Sequence, residues 1–170
     1  FFIPDPRRFW IRPSVKFLGK YFESNKVDAV VSTGPPHSMH LIAQKVIQNY
    51  NIPWVADFRD PWTNIDFFDD LKLTTTAKKL HHRLEKKVLN HADAILVVSP
   101  TMKKEFQETT ATPIHVITNG FDSDDFSQQS YVPNKKFIIS HVGMLSHSRN
   151  PEHLWKAIAE LKDEESGFID

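Results

Sequence analysis

The sequence predicts an α/β protein built on a Rossmann-like parallel sheet flanked by helices, and three observations carry that prediction. Four short apolar strands are spaced along the chain, over 27–31, 54–56, 94–98 and 115–117. Segments of helical period separate them, the alternation expected of a parallel sheet. Each strand runs straight into a polar, loop-forming cluster: Ser32-Thr33-Gly34-Pro35-Pro36-His37, Asp57-Phe58-Arg59-Asp60-Pro61-Trp62, Ser99-Pro100-Thr101 and Thr118-Asn119-Gly120. In an open parallel sheet such clusters share the carboxyl edge of the strands, where α/β proteins bind ligands. That edge is the expected functional site.

The helices follow in order. Val15, Leu18 and Phe22 recur at helical spacing after Pro13 and stop at Ser24-Asn25. A second helix opens near Pro35-Pro36 with Ser38 as a cap. Met39, Ile42, Ala43, Val46 and Tyr50 make its apolar stripe, and Asn51-Ile52-Pro53 ends it. Residues 57–76 are polar and aromatic without a period, and loops of that length inside compact domains are commonly functional. Residues 77–90 read as an amphipathic helix with Leu80, Leu84 and Val88 inward and Lys78, Lys79, Arg83, Glu85, Lys86 and Lys87 outward. Ser99 caps a shorter helix through Met102 and Phe106, with Pro100 at its first position.

Residues 122–136 have the Ser, Gln, Asn and Pro content of a linker. The pattern then restarts with a buried strand over 137–142, a turn over 143–150 and a helix from Pro151 with Leu154, Ala157, Ile158 and Leu161 inward. This places a domain boundary near Asn134, with 1–133 as one Rossmann-like domain and 134–170 as the first strand and helix of another. Both ends, Phe1-Phe2-Ile3 and Gly167-Phe168-Ile169-Asp170, read as cut from a longer chain.

Composition narrows the partners. Lys and Arg number 21 and so do Asp and Glu, so no bulk charge points to nucleic acid, and any anion site must be local. With no cysteine there is neither a disulfide framework, nor a thiolate metal site, nor a Cys nucleophile, and a reducing compartment fits. No run approaches the roughly 18 apolar residues of a spanning helix, and the order of a signal peptide is missing. The chain reads as cytoplasmic.

Several clusters suit chemistry. Gly34-Pro35-Pro36-His37 opens a helix, whose N–H groups and dipole could receive an anion or a polarised hydroxyl; a rigid turn with a surface histidine has the same sequence. His37 and His40, three apart, could share a metal, though solvated helix histidines are commoner. Asp57-Phe58-Arg59-Asp60-Pro61-Trp62 is the richest cluster. Arg59 can hold one carboxylate ionised while another serves as base or hydroxyl acceptor, and Trp62, Phe67 and Phe68 offer flat apolar faces of the kind sugar rings stack upon. An ion pair fixing the sheet edge is the alternative.

Asp122-Ser123-Asp124-Asp125 has the spacing of a metal-binding Asp-x-Asp, and more commonly of a solvated acidic turn. Asn119-Gly120 is a turn signal, with the glycine expected at positive φ. Gly143 and Arg149, between a strand and a helix start, make a diphosphate site on spacing. Phe9-Trp10-Ile11 among Arg7, Arg8, Arg12, Lys16 and Lys20 forms a basic aromatic patch suited to anionic lipid at the inner face of a membrane, or to packing against other parts of a longer chain.

Taken in order, Ser32-Thr33-Gly34-Pro35-Pro36-His37-Ser38, Ile52-Pro53-Trp54-Val55-Ala56-Asp57-Phe58-Arg59-Asp60-Pro61-Trp62, Ala92-Asp93-Ala94 leading to Val98-Ser99, and Thr118-Asn119-Gly120-Phe121-Asp122 with Phe126 resemble bacterial family-4 glycosyltransferases of the GT-B fold. The resemblance covers 27–161. It implies two Rossmann-like domains facing a crevice, the first for a glycan or lipid-linked acceptor and the second for a nucleotide-sugar donor. On that alignment the chain holds the latter part of the first domain and the start of the second. The resemblance further implies transfer with retention and without a metal or other cofactor, in cell-surface polysaccharide assembly.

The resemblance also assigns residues. Arg59 and Asp60 stand where many relatives place a His beside the reacting sugar, and are the expected catalytic pair. Gly34, Pro35, His37, Asp57, Trp62, Asn119 and Gly120 are expected to bind substrate, and Gly143 and Arg149 the donor phosphates. Met144 stands where many members carry a basic residue. Two other readings remain open on the sequence: a metal-dependent hydrolase using His37, His40 and the strand-end aspartates, and a non-catalytic nucleotide-sugar-binding module.

Overall fold

In the computed structural model, which describes residues 2–125, 138–146 and 149–164, four parallel strands lie side by side in sequence order. They are β1 (Val30–Gly34), β2 (Trp54–Phe58), β3 (Ala94–Val97) and β4 (Ile114–Val116). Helices α1 (Ile11–Ser24), α2 (Ser38–Ile47), α3 (Thr75–Leu89) and α4 (Pro100–Gln107) accompany them, and 3-10 turns cover Pro6–Trp10 and Asp69–Leu71. The Rossmann-like α/β class expected from the alternating pattern is therefore present.

The strands begin and end elsewhere than the apolar runs indicate. β1 starts at Val30 rather than at residue 27 and takes in Ser32, Thr33 and Gly34, expected as loop. Parallel pairing sets these bounds, because Val30 aligns with Trp54 and Gly34 with Phe58. A polar residue can enter the strand because its side chain is satisfied: Trp54 Nε1 donates to Ser32 Oγ at 2.8 Å, and His40 Nδ1 lies 2.8 Å from the same oxygen. β2 likewise takes in Asp57, whose carboxylate meets Thr33 and Arg59, and then Phe58, which is buried in the core.

Burial alternates along every strand. Ser32 and Gly34, Trp54, Ala56 and Phe58, then Ile95, Val97 and Ile114 are buried on one face. There they join Leu41, Ile42 and Val46 of α2, Val88 and Leu89 of α3, and Met102 and Phe106 of α4 in one core. The opposite face carries Val31, 65% exposed, with Thr33, Val55, Asp57, Leu96 and His115. Right-handed crossovers between strands laid down in sequence order bring successive helices to the same side of a sheet, which is the pattern this burial shows.

Helix starts follow capping chemistry. Thr74 accepts from the Ala77 N–H at 3.3 Å and Ser99 from the Met102 N–H at 3.2 Å, with Pro100 at the first position of α4 as expected. Ser38 is not the cap of α2. His37 precedes the helix, and Ser38 donates instead, through its N–H and its hydroxyl, to the two carboxylate oxygens of Asp5 at 2.8 and 2.9 Å. In α3 the buried residues are Ala77, His81, Glu85, Val88 and Leu89: Val88 is inward as expected and Leu84 packs partly against the core, whereas Leu80 is exposed and Glu85 is inward.

The chain divides into two compact units, Phe1–Ser123 and Asp124–Asp170. The expected boundary at Asn134, and Phe126, lie outside the described residues. So does Phe137, and 138–142 form no strand; these residues are exposed. A strand needs a neighbour to take its N–H and C=O groups, and none pairs with this segment among the described residues. In the second unit α5 (Glu152–Glu164) forms as expected from Pro151 onward, but Leu154 and Leu161 are exposed and Ile158 is half-buried, so its apolar stripe is not the core face anticipated.

The Ser32 hydroxyl is the test of this architecture. Ser32→Ala leaves the Trp54 indole N–H and His40 Nδ1 without their buried partner and is expected to cost about 1–3 kcal/mol, read as a lowered midpoint in urea unfolding.

Candidate functional site

The carboxyl ends of β1 and β2 bring the first cluster together by register alone, since Thr33 aligns with Asp57 and Gly34 with Phe58. Thr33 Oγ1 donates to Asp57 Oδ2. Just past β2, the Arg59 N–H donates to the Gly34 carbonyl at 2.9 Å, extending the ladder by one bond. The Arg59 guanidinium then reaches sideways. Its Nη1 lies 3.6 Å from Asp57 Oδ1 and its Nη2 donates to Asn119 Oδ1, just beyond β4. Gly34, Asp57, Arg59 and Asn119 thus meet on one rim, with Arg59 and Asp57 both part-exposed. Asp60, Pro35 and Gly120 are exposed around it.

Asn119-Gly120 differs in one respect from expectation. Gly120 is not among the residues at positive φ, and a side chain placed there would meet nothing within 4 Å. Residues 118–120 form no turn, and Asn119 is held at the rim by its hydrogen bond from Arg59.

Behind the rim lies a buried imidazole pair. His40 is fully buried and His37 half-buried. Both aim at Gly34: a methyl group built on its Cα would lie 2.5 Å from His40 Nε2 and 3.3 Å from His37 Nδ1. Only glycine leaves room for that approach. These two nitrogens have no hydrogen-bond partner among the described residues. Desolvation by burial therefore dominates, pushing His37 down to about 4, against a smaller upward pull from Asp5, and His40 down to about 3. His40 Nδ1 is engaged by Ser32, and among the described residues no three His, Cys, Asp or Glu lie where they could hold a metal ion.

Trp62 does not offer the free face expected of it. Its indole is 3% exposed and stacks on His37 at 4.6 Å between centroids and 3° between planes, while its Nε1 donates to His81 Nδ1 at 3.0 Å. Phe68 is likewise buried, edge-on to His81 and His82, and Phe67 is the exposed ring of the three. The helix start expected to receive an anion already holds one, the Asp5 carboxylate, where the positive end of the dipole favours it.

Glu85 is the residue sequence reasoning missed. Buried on α3, it accepts from the Trp62 and Thr63 N–H groups at 3.2 and 3.1 Å and from the Thr63 hydroxyl, and so holds the loop after β2. A signal existed in the spacing of Ala77, His81, Glu85 and Val88, which puts Glu85 on a helical stripe with apolar residues. The surrounding lysines and arginine obscured it.

Gly143 and Arg149 belong to the second unit. Gly143 has φ +127°, a region that favours glycine, and the Arg149 N–H donates to the Ser146 carbonyl at 3.0 Å. The first turn of α5 begins with the acidic Glu152.

With this geometry in place, the family model for Glycosyltransferase Family 4 matches residues 1–125, and the chain belongs to that family. No curated protein and no solved structure matches the chain. The matched segment contains every element that forms the rim.

Two outcomes test the site's internal order. Burial holds His37 and His40 neutral, so below pH 6.5 the unfolded chain takes up protons first. The stability these rings confer is complete above that pH and falls as pH drops toward about 4 and then about 3, by up to about 1.4 kcal/mol per pH unit for each ring. Thermal midpoints measured from pH 7 to pH 4 should decline, and His37→Gln should flatten the slope. Separately, Glu85→Ala leaves two backbone N–H groups unpaired and is expected to cost about 2–4 kcal/mol in denaturant unfolding, with Glu85→Gln recovering part of it.

Proposed function

We propose that this chain forms the acceptor-side part of a retaining, metal-independent glycosyltransferase of the two-domain GT-B type, moving a sugar from a nucleotide-sugar donor to a glycan or lipid-linked acceptor in bacterial cell-surface polysaccharide assembly. The observation that carries the reading is the convergence of Gly34, Asp57, Arg59 and Asn119 at the carboxyl edge of four parallel strands, in a chain of Glycosyltransferase Family 4. The lack of cysteine suits a cytoplasmic location.

In this reading the Arg59 guanidinium supplies the positive charge for the departing diphosphate as the sugar gains oxocarbenium character, in place of a cation. Asp57 and Asn119 fix its fork in position. Asp60, exposed at the rim, orients an acceptor hydroxyl. His37 backs the rim as a neutral imidazole, held flat by Trp62, with Gly34, Pro35 and Gly120 leaving room for substrate. The region 134–170 is the start of the donor domain, where Gly143 and Arg149 take the donor phosphates.

The test is turnover of nucleotide sugars by the full-length gene product in excess chelator. Activity should persist there, and Arg59→Ala and Asp60→Asn should each lower kcat by about 100-fold or more without shifting the thermal midpoint. Activity abolished by chelator would overturn the metal-independent reading, and turnover unchanged in both variants would remove the rim from the chemistry.

A further inference from the structure

We propose that the outer side of α1, with the 3-10 turn before it, is a docking face for an anionic lipid bilayer. Between Asp5 and Glu23 the chain carries five cations and no carboxylate, although charge is balanced over its whole length. At 100° per residue, Trp10, Phe17 and Tyr21 fall in one row and Arg12, Lys16 and Lys20 in the row beside it. Trp10 is 56% exposed and Phe17 67%, and Tyr21 is also exposed.

These aromatics are not needed to hold the helix. Ile11, Val15, Leu18 and Phe22 face the core, Phe22 meets Tyr50 edge-on at 5.3 Å, and Tyr50 donates its hydroxyl to the Gly19 carbonyl at 2.9 Å. The outer rows are surplus to folding. Phe17 also walls an apolar groove of about 370 Å³ with Pro13, Leu18, Met39 and Ile42. The Arg7 and Arg8 guanidiniums lie 5.6 and 5.7 Å from the rings of Trp10 and Phe9, which keeps charge and aromatic surface together at one level.

Charge complementarity selects the occupant. A row of lysine and arginine beside tryptophan, tyrosine and phenylalanine is the pairing that suits the headgroup and acyl boundary of an anionic leaflet, cations meeting phosphates while the rings enter the first few ångströms. No helix among the described residues is long and apolar enough to cross a membrane, so this contact would be peripheral. The inference is independent of the donor and acceptor chemistry proposed above.

Cosedimentation of the full 170-residue chain with vesicles tests it, using phosphatidylcholine alone and phosphatidylcholine with phosphatidylglycerol at about 2:1. Binding is expected to the anionic vesicles alone, to vanish near 0.5 M salt, roughly where screening is complete, and to weaken by about tenfold or more in Lys16→Glu/Lys20→Glu. In a Trp155→Phe background Trp10 is the exposed indole, since Trp54 and Trp62 are buried, and its emission should shift to the blue on vesicle addition. Equal binding to both vesicle types, binding to neither, or unchanged binding by the charge-reversed variant overturns the proposal. A blue-shifted Trp10 in a self-associated species without vesicles also overturns it, assigning the face to a second copy of the chain.

Discussion

One buried hydroxyl couples the parts of this fold that come from different stretches of chain. Ser32 on β1 meets the indole of Trp54 on β2 and the imidazole of His40 on α2, all within the core. A buried polar atom without a partner is costly, so three groups that would each oppose burial instead license one another. The consequence reaches the rim. With β1 and β2 locked in register, Thr33 must sit beside Asp57 and Gly34 beside Phe58, and the Arg59 N–H finds the Gly34 carbonyl.

A second buried group organises what the first leaves free. The loop after β2 has no period of its own, and Glu85 gives its backbone a fixed partner from α3. Trp62 is thereby set flat on His37, which in turn faces Gly34. The rim is therefore backed by side chains from β1, α2, the loop and α3, not by strand ends alone. That arrangement suits a site that must hold a guanidinium still while charge changes in front of it.

Much of the fold was legible from sequence where local and global preferences agree. The existence of four strands, their polar exits and the Ser99-Pro100 helix start each rest on a residue choice that packing did not override. The bounds of β1 were not legible, because Ser32 and Thr33 are polar and only their distant partners make them strand residues. Glu85 was hidden by neighbouring lysines, and Asp5 lies 33 residues from the helix it caps. Over 138–142 apolar content mimicked a strand, yet content alone supplies no hydrogen-bonding neighbour. At the site, the meeting of Gly34, Arg59 and Asn119 at one sheet edge was foreseen with Asp60 beside them, whereas Asp57 is the carboxylate Arg59 reaches, and the burial of Trp62 depended on a stacking partner that spacing does not reveal.

The clamp formed by Asp5 carries a mechanical implication. The same carboxylate accepts from the Arg7 N–H at 2.8 Å, so it closes the turn leading into α1 as well as the start of α2. Residues 5–10 are consequently a keystone for the rim that begins four residues upstream of Ser38. Trimming them would open the front of α2 and change the field at His37 together. A load on α1 would therefore reach the start of α2 through a single side chain, because Asp5 accepts from both Arg7 and Ser38.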